Sequence, residues 1–522
     1  MASDNAPVLG SDSPGRVTTA LASKVAKFSK HPQPAGEAIR LSKCSSLTVH
    51  PALLPSTPEL LYNIQYPGIH WLNDDILLGI FNCYRQDDEY QWNLRLLWSK
   101  LSHVCQRWRY LIYDCAFHLD IHIKCTNGSP IVDTLDHLPP LPLFVSYHDR
   151  PITGLTEQDE MGICHALQLH GRVYHLELVL MPSILHRVIV LMDGHFPILE
   201  HLSLSFTTTT ENGLPLTLPK GFLAPNLRHL NLPGISPLKR LRVLTSAVSL
   251  VKLVLSNIQT ASYFRPRLLV ARLSSLPQLE ELFIGFSIPI PRPSTERELL
   301  GEKGTPVTLP SLRDLQFEGV AAYLESLVAQ IRAPLLERLG VTLFNQVAFA
   351  LPHLSYLIEI TEAFKLPCAA VRFNHREVYV TMVHHGSGRG PFLLRVICKQ
   401  LDWQIDCAAQ ICHTLIPVLS CVEQLSLYHN FRRIPDELRN GAIDSATWHD
   451  LLRSFIGVQR LYIKGGLLDE LSRALRVDEV GSDPGFLPNL RSISAGRNVF
   501  TTFIDTRRVV GRLVQFTLRH NE

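Results

Sequence analysis

Two stretches of this sequence carry residue types that could do chemistry. His384-His385 precede Gly386-Ser387-Gly388-Arg389-Gly390, a composition that suits a phosphate loop or a metal site. A phosphate loop needs its glycines to open a helix, usually with Lys-Ser or Lys-Thr close behind. Here Pro391 and a strand-like run follow instead, so the reading is a plain hairpin loop. Cys407, Cys412 and His413 fall on a helical stretch at steps of five and one, which does not gather them on one face as metal ligands four apart would be. No G-x-S-x-G, H-E-x-x-H or kinase-type set occurs. The expectation is a protein that is not an enzyme, with no catalytic residue, no metal and no cofactor.

Composition narrows the classes further. Lys+Arg is 50 and Asp+Glu is 47, a net charge of +3, which gives no support to a nucleic-acid binder. Hydrophobic residues make up 46% and charged residues 19%, which excludes wholesale disorder. No apolar run approaches a bilayer-spanning length, so no membrane is expected. The 11 cysteines are odd in number and scattered, unlike a disulfide framework or a zinc ribbon. No secretory leader opens the chain. Asn127-Gly128-Ser129 is therefore read as a turn rather than a glycan acceptor, in an intracellular protein, cytoplasmic or nuclear.

The elements that could position a site follow from periodicity. Residues 1–46 are rich in Ser, Pro, Ala and Lys and read as part of a flexible tail covering 1–60. Residues 68–118 read as a helical module. Leu72, Ile76 and Ile80 are four apart with Leu77 and Phe81 beside them, Asn73 stands at the N-cap, and Asp74 and Asp75 follow in the first turn. A second helix is expected to carry Leu97, Leu101, Val104, Trp108 and Leu111 along one stripe, with Cys105 as a small core residue beside it.

Residues 119–171 read as a connector, and 172–345 as repeats of the form L-x-x-L-x-L. Leu199, Leu202 and Leu204 make one copy; others start at Val173, Leu227, Leu250, Leu279, Leu312 and Leu336. The spacing of 23–33 residues is that of a solenoid, in which each strand buries its leucines only by stacking on its neighbours. Proline precedes several copies: Pro197, Pro225, Pro277, Pro310 and Pro334. The asparagine that such coils usually carry eight residues after the first leucine is missing, so the turning backbone must be satisfied otherwise. Residues 346–416 break the period: a helix at 351–364, strands at 371–383 and 392–399, and a helix at 401–416. Repeat-like strands resume in 417–522, ending in an expected amphipathic capping helix at 500–516.

In L-x-x-L-x-L the leucines point inward and the intervening residues project from the concave sheet. Those positions include His201, His229, Lys252, Glu281, Phe283, Asp314, Arg338, Arg460 and Tyr462. Aromatic and Arg side chains carry most binding energy at protein interfaces. Phe283, Arg338, Arg460 and Tyr462 are therefore the candidate target-binding residues.

The segment from Leu72-Asn73-Asp74-Asp75-Ile76-Leu77 to Phe81, followed by Leu101-Ser102-His103-Val104-Cys105-Gln106-Arg107-Trp108-Arg109-Tyr110-Leu111, resembles the F-box. Asn73 stands where that motif usually has proline, Asp75 where it has glutamate, and the spacer 82–100 is long. The whole layout over residues 68–500 is similar to the expanded F-box proteins of mushroom-forming fungi, with degenerate leucine-rich coils and segments like Leu351-Pro352-His353-Leu354 and Gln400-Leu401-Asp402-Trp403-Gln404. The resemblance implies an α/β chain: an N-terminal helical F-box, then an irregular leucine-rich-repeat-like solenoid with a parallel concave sheet. It implies a substrate-receptor subunit of an SCF ubiquitin ligase. Leu72, Asp75, Ile76, Leu77, Ile80, Phe81, Leu101, Val104, Cys105, Trp108 and Leu111 would form the module that docks the Skp adaptor, and through it cullin. The coils would hold a target protein. The alternative is a repeat scaffold that no longer binds the adaptor.

Overall fold

A computed structural model describes residues 69–86, 97–129, 131, 135, 139–149, 154–207, 217–235, 242–259, 263–287, 305–344, 346, 348–383, 390–430, 445–475, 487–496, 499–501, 503–505 and 513–518. The expected tail and the loop at 384–389 lie outside these residues. The chain divides into two units, Met1–Trp71 and Leu72–Glu522. Of the first, only the short 3-10 turn Ile69–Trp71 is described.

The second unit opens with three helices: α1 (Asp74–Gln86), α2 (Leu97–Ser102) and α3 (Gln106–Asp114). Asn73 caps α1, its Oδ1 accepting from the Ile76 N–H at 2.9 Å. The expected second helix is in fact two. Cys105 is extended (φ −158°, ψ 170°) as the N-cap of α3, and residues 103–104 form the turn. The break resets the helical phase. Val104 consequently leaves the stripe for the turn, and Trp108 pairs with Ile112 as the buried face of α3.

Sixteen strands then form one sheet. In chain order they are β1 (Ile123–Thr126), β2 (Leu143–His148), β3 (Val173–Leu180), β4 (His201–Phe206), β5 (His229–Asn231), β6 (Lys252–Ile258), β7 (Glu281–Phe286), β8 (Asp314–Gly319), β9 (Arg338–Phe344), β10 (Cys368–Phe373), β11 (Glu377–Val383), β12 (Phe392–Ile397), β13 (Gln424–His429), β14 (Arg460–Lys464), β15 (Ser492–Ala495) and β16 (Gln515–Leu518). From β1 to β9 and from β13 to β16 the spatial order follows the chain, every pair parallel. The sheet begins at Ile123, so the segment 119–171 is not a connector: it supplies β1, β2 and the helix Glu157–Gln168.

The block at 346–416 does not interrupt the sheet. It inserts a meander in the order β9-β12-β11-β10-β13. β11 is antiparallel to both neighbours, while β12 is parallel to β9 and β10 is parallel to β13. The run expected as one strand over 371–383 is two, reversed at Asn374, whose Oδ1 accepts from the Arg376 and Glu377 N–H groups at 2.8 and 2.9 Å. Gln404, fully buried in the helix Leu401–Thr414, holds this turn by donating to the carbonyls of Asn374 (2.8 Å) and Cys398 (2.9 Å). The expected C-terminal capping helix is replaced at its end by β16, which adds to β15 as the last strand; among the described residues of that stretch, 501 and 503–505 are helical.

Inward strand positions are buried in one continuous core that runs from Cys125 to Val514 and includes Leu202, Leu204, Leu253, Leu255, Leu425 and Leu461. The missing asparagine ladder has a substitute. Just before β5, β8 and β15, the residue after a proline donates to a carbonyl of an earlier coil: Asn226 to Pro197 (2.7 Å), Ser311 to Pro277 (2.9 Å) and Asn489 to Ile456 (3.0 Å).

Candidate functional site

The helical module has its own small core: Leu77, Phe81, Trp108, Ile112 and Leu119. Phe81 and Trp108 meet edge to face with ring centroids 4.8 Å apart. Leu72, Leu101 and Leu111 pack half-buried against this cluster. Arg107, in the first turn of α3, clamps the start of α1 by donating to Asp74 Oδ1 (2.6 Å) and to the Leu72 carbonyl (2.6 Å). The α2–α3 turn therefore lies beside the first turn of α1.

The remaining motif residues face solvent. Ile76 is 50% exposed, Ile80 42% and Val104 56%, and Asp75 and Cys105 are exposed too. Cys105 is thus not a core residue; as the extended N-cap it points away from the Trp108–Ile112 face. On α1 the outward stripe is Ile76, Gly79, Ile80 and Cys83, at the i, i+3, i+4, i+7 spacing of one helix face. Gly79 has no atom within 4 Å of the place a Cβ would occupy, so the stripe is smooth and open. An isolated exposed isoleucine means little; here Ile76 and Ile80 lie one helical turn apart on the same open face.

The four residues expected to bind a target lie on the outward face of the sheet, in two rows. Strand register carries Phe283 through Gln316, Gly340, Leu393, Thr381, Ala370 and Ser426 to Tyr462. Arg338 and Arg460 stand two residues earlier on their strands than Gly340 and Tyr462, in the neighbouring row of the same face. The meander therefore keeps the four on one face, but it separates them. Phe283 and Tyr462 are seven strands apart, roughly 34 Å at the usual strand spacing. They do not form one compact site.

The sequence also left two clusters on this face unread. Phe144, His175, His201 and His229 occupy one row of β2–β5. The Phe144–His175 rings stack at 4.0 Å, His175–His201 at 5.1 Å and His201–His229 at 4.1 Å. Burial is the main cause that lowers all three imidazoles; with the neighbouring imidazoles contributing, His175 and His229 are brought to about 4. The stack is neutral at pH 7. The second cluster is the row Arg395–Tyr379–Arg372–Tyr428–Lys464 across β12, β11, β10, β13 and β14. The repeated histidines at the first outward position of β3–β5 were a usable signal for the first cluster. The second needed the hairpin at Asn374 to be placed, because its register depends on it.

Charge on the outward face is arranged unevenly. Over β6–β9 the cations are paired: Lys252 with Glu281 at 2.7 Å and Arg338 with Asp314 at 2.9 Å. In the meander Arg395 pairs with Glu377 at 3.4 Å. Among the described residues no group of three or more His, Cys, Asp or Glu could hold a metal ion, and no helix is long and apolar enough to cross a membrane. Cys407 and Cys412 are buried in the helix Leu401–Thr414, and Cys407 hydrogen-bonds Cys398. Asn127 takes part in a turn, its side chain exchanging two 3.0 Å hydrogen bonds with the His148 backbone. No family model matches the chain, and no curated protein matches it.

Proposed function

We propose that this chain is a target receptor of an SCF-type ubiquitin ligase, with the helical module as an F-box that docks the Skp adaptor and the leucine-rich-repeat-like sheet as the surface that holds a target protein. One observation carries the reading: the motif residues divide cleanly by face. Leu77, Phe81 and Trp108 close the module's core, while Ile76, Ile80 and Val104 remain outside it. A sequence motif kept only for packing has no reason to maintain a second, exposed apolar stripe one residue away from the buried one. The departure at Asn73 is compatible with the reading, because asparagine starts the helix as effectively as the usual proline.

In this reading the chain performs no bond chemistry. It brings a target to the ligase through the effective concentration that tethering creates. Co-expression of the full chain with a Skp adaptor tests it. A stable complex that survives gel filtration is expected. Absence of a complex with the folded chain rejects adaptor docking and leaves the repeat-scaffold alternative.

A further inference from the structure

Across β10, β13, β14 and β15 the outward positions are Cys368, Ala370 and Arg372; Gln424, Ser426 and Tyr428; Arg460, Tyr462 and Lys464; and Ser492 and Ser494. None of these positions is acidic, and the nearby carboxylate is that of Glu423, just before β13, which like Arg460 acts on the Cys368 thiol. Arg372, Arg460 and Lys464 are exposed, and among the described residues none of the three makes an ion pair. This contrasts with β6–β9, where the outward Lys252 and Arg338 have acidic partners one strand away. Arg372 instead lies over the Tyr428 ring, 5.4 Å from its centroid, which fixes the guanidinium in place without neutralising it. A local excess of cations leaves a net positive field over this part of the sheet, which favours an acidic ligand.

From this arrangement we propose that the outward face of β10, β13 and β14 is a docking site for an acidic polypeptide segment, with Arg372, Arg460 and Lys464 as its charge anchors and Tyr428 and Tyr462 as aromatic contacts. The inference rests on the reading of the sheet as a target-holding surface and names the class of target. Arg372 and Lys464 sit in one row with Tyr428 between them, about 10 Å apart at the usual strand spacing, and Arg460 is four residues from Lys464, about 13 Å along the strand. Those separations suit carboxylates dispersed along a polypeptide. A nucleic-acid duplex presents a charge every ~3.4 Å per strand and calls for a continuous basic track, which this face lacks. The site keeps two of the residues expected from sequence, Arg460 and Tyr462. It drops Arg338, already paired with Asp314, and Phe283, seven strands from Tyr462.

Fluorescence anisotropy with the full chain and a fluorescein-labelled glutamate oligomer tests the site, with a lysine oligomer and a single-stranded oligonucleotide as comparison probes. The glutamate oligomer is expected to bind, and to bind more weakly as salt rises. The double variant Arg372→Ala, Lys464→Ala is expected to weaken it by at least about tenfold with unchanged melting, because both side chains are exposed. Lys252→Ala is expected to change little. No binding of the glutamate oligomer, or equal binding by the double variant, overturns the site, as does tighter binding of the oligonucleotide. Loss of binding on Phe283→Ala, Arg338→Ala but not on the double variant moves the target surface to β7–β9. Adaptor co-purification by the double variant, run in parallel, shows whether the receptor reading stands or falls separately.

Discussion

Phe81 and Trp108 meet edge to face at 4.8 Å, and that contact joins α1 to α3 at the centre of a small core that has five buried members among the described residues. In a cluster this small no neighbour can collapse to fill a lost indole. Trp108→Ala is expected to cost about 3–5 kcal/mol locally. Limited proteolysis should show cleavage in the helical module while the sheet stays protected, since its core is a separate cluster. A module that resists proteolysis as the parent does would show the indole to be peripheral.

The neighbouring outward stripe predicts the opposite separation. Ile76→Ser with Ile80→Ser changes exposed side chains and is expected to alter stability by within about 0.5 kcal/mol each. Adaptor binding should fall by at least about tenfold if the stripe is buried on docking, at roughly 25 cal/mol per Å² of apolar area. Pull-down by the double variant at parental yield would remove the stripe from the interface. Arg107→Met is a useful companion: the exposed pair with Asp74 is worth little by itself, about 0–1 kcal/mol, so any larger effect reports loss of the α2–α3 turn position.

Much of this architecture was legible because the repeat states the same instruction many times. Leu202, Leu230, Leu253 and Leu282 occur at the same point of successive coils, and the register aligns them one to one. Elements that state their instruction once were harder. β1 and β2 lack the leucine pattern. The hairpin at Asn374 contains no glycine or proline, and only the polar run Asn374-His375-Arg376-Glu377 marks it between two strand-like segments. The break before α3 falls where the three-and-four spacing of Leu101, Val104 and Trp108 carries straight on, and only the extended Cys105 backbone ends it. For the candidate site, residue types pointed to the outward face, but which cations were already paired depended on neighbours one strand away, which sequence spacing does not show.

Gln404 is where the meander and its covering helix are fastened together. Gln404→Leu keeps the volume but leaves the Asn374 and Cys398 carbonyls without this donor inside the protein. The expected cost is about 1–3 kcal/mol, read as a lower denaturant midpoint. Hydrogen exchange should localise the loss to β10–β12. A uniform change across the whole sheet would show that the meander does not open independently.

The stacked imidazoles make stability depend on pH in a stated direction. In the unfolded chain each histidine titrates near 6.5. In the folded protein His175 and His229 are held at about 4, and His201 is also lowered. Burial is the largest cause. His201 and His122 add to the depression of His175, and His201, Arg228 and Lys252 to that of His229, where Glu281 opposes them. Between pH 6.5 and 4 the unfolded chain therefore binds more protons than the folded one, and stability falls as pH falls through this window. Above 6.5 both states are neutral and these groups contribute no slope. A displacement from 6.5 to about 4 corresponds to at most roughly 3 kcal/mol at the acid end, and solvent screening of these half-buried rings brings the contribution of each below that. Denaturation midpoints at pH 7, 6 and 5 should decline accordingly, before most carboxylates begin to titrate. His175→Phe keeps an aromatic ring stacked between Phe144 and His201 and removes one titrating group, so its decline should be shallower. A parent whose midpoint is flat from pH 7 to 5, or a variant that declines as steeply, would show that the stack accepts protons without cost. Proton NMR titration of the histidine ring signals separates those outcomes from an unrelated acid transition, because the His175 and His229 rings should hold their neutral shifts down to pH 5.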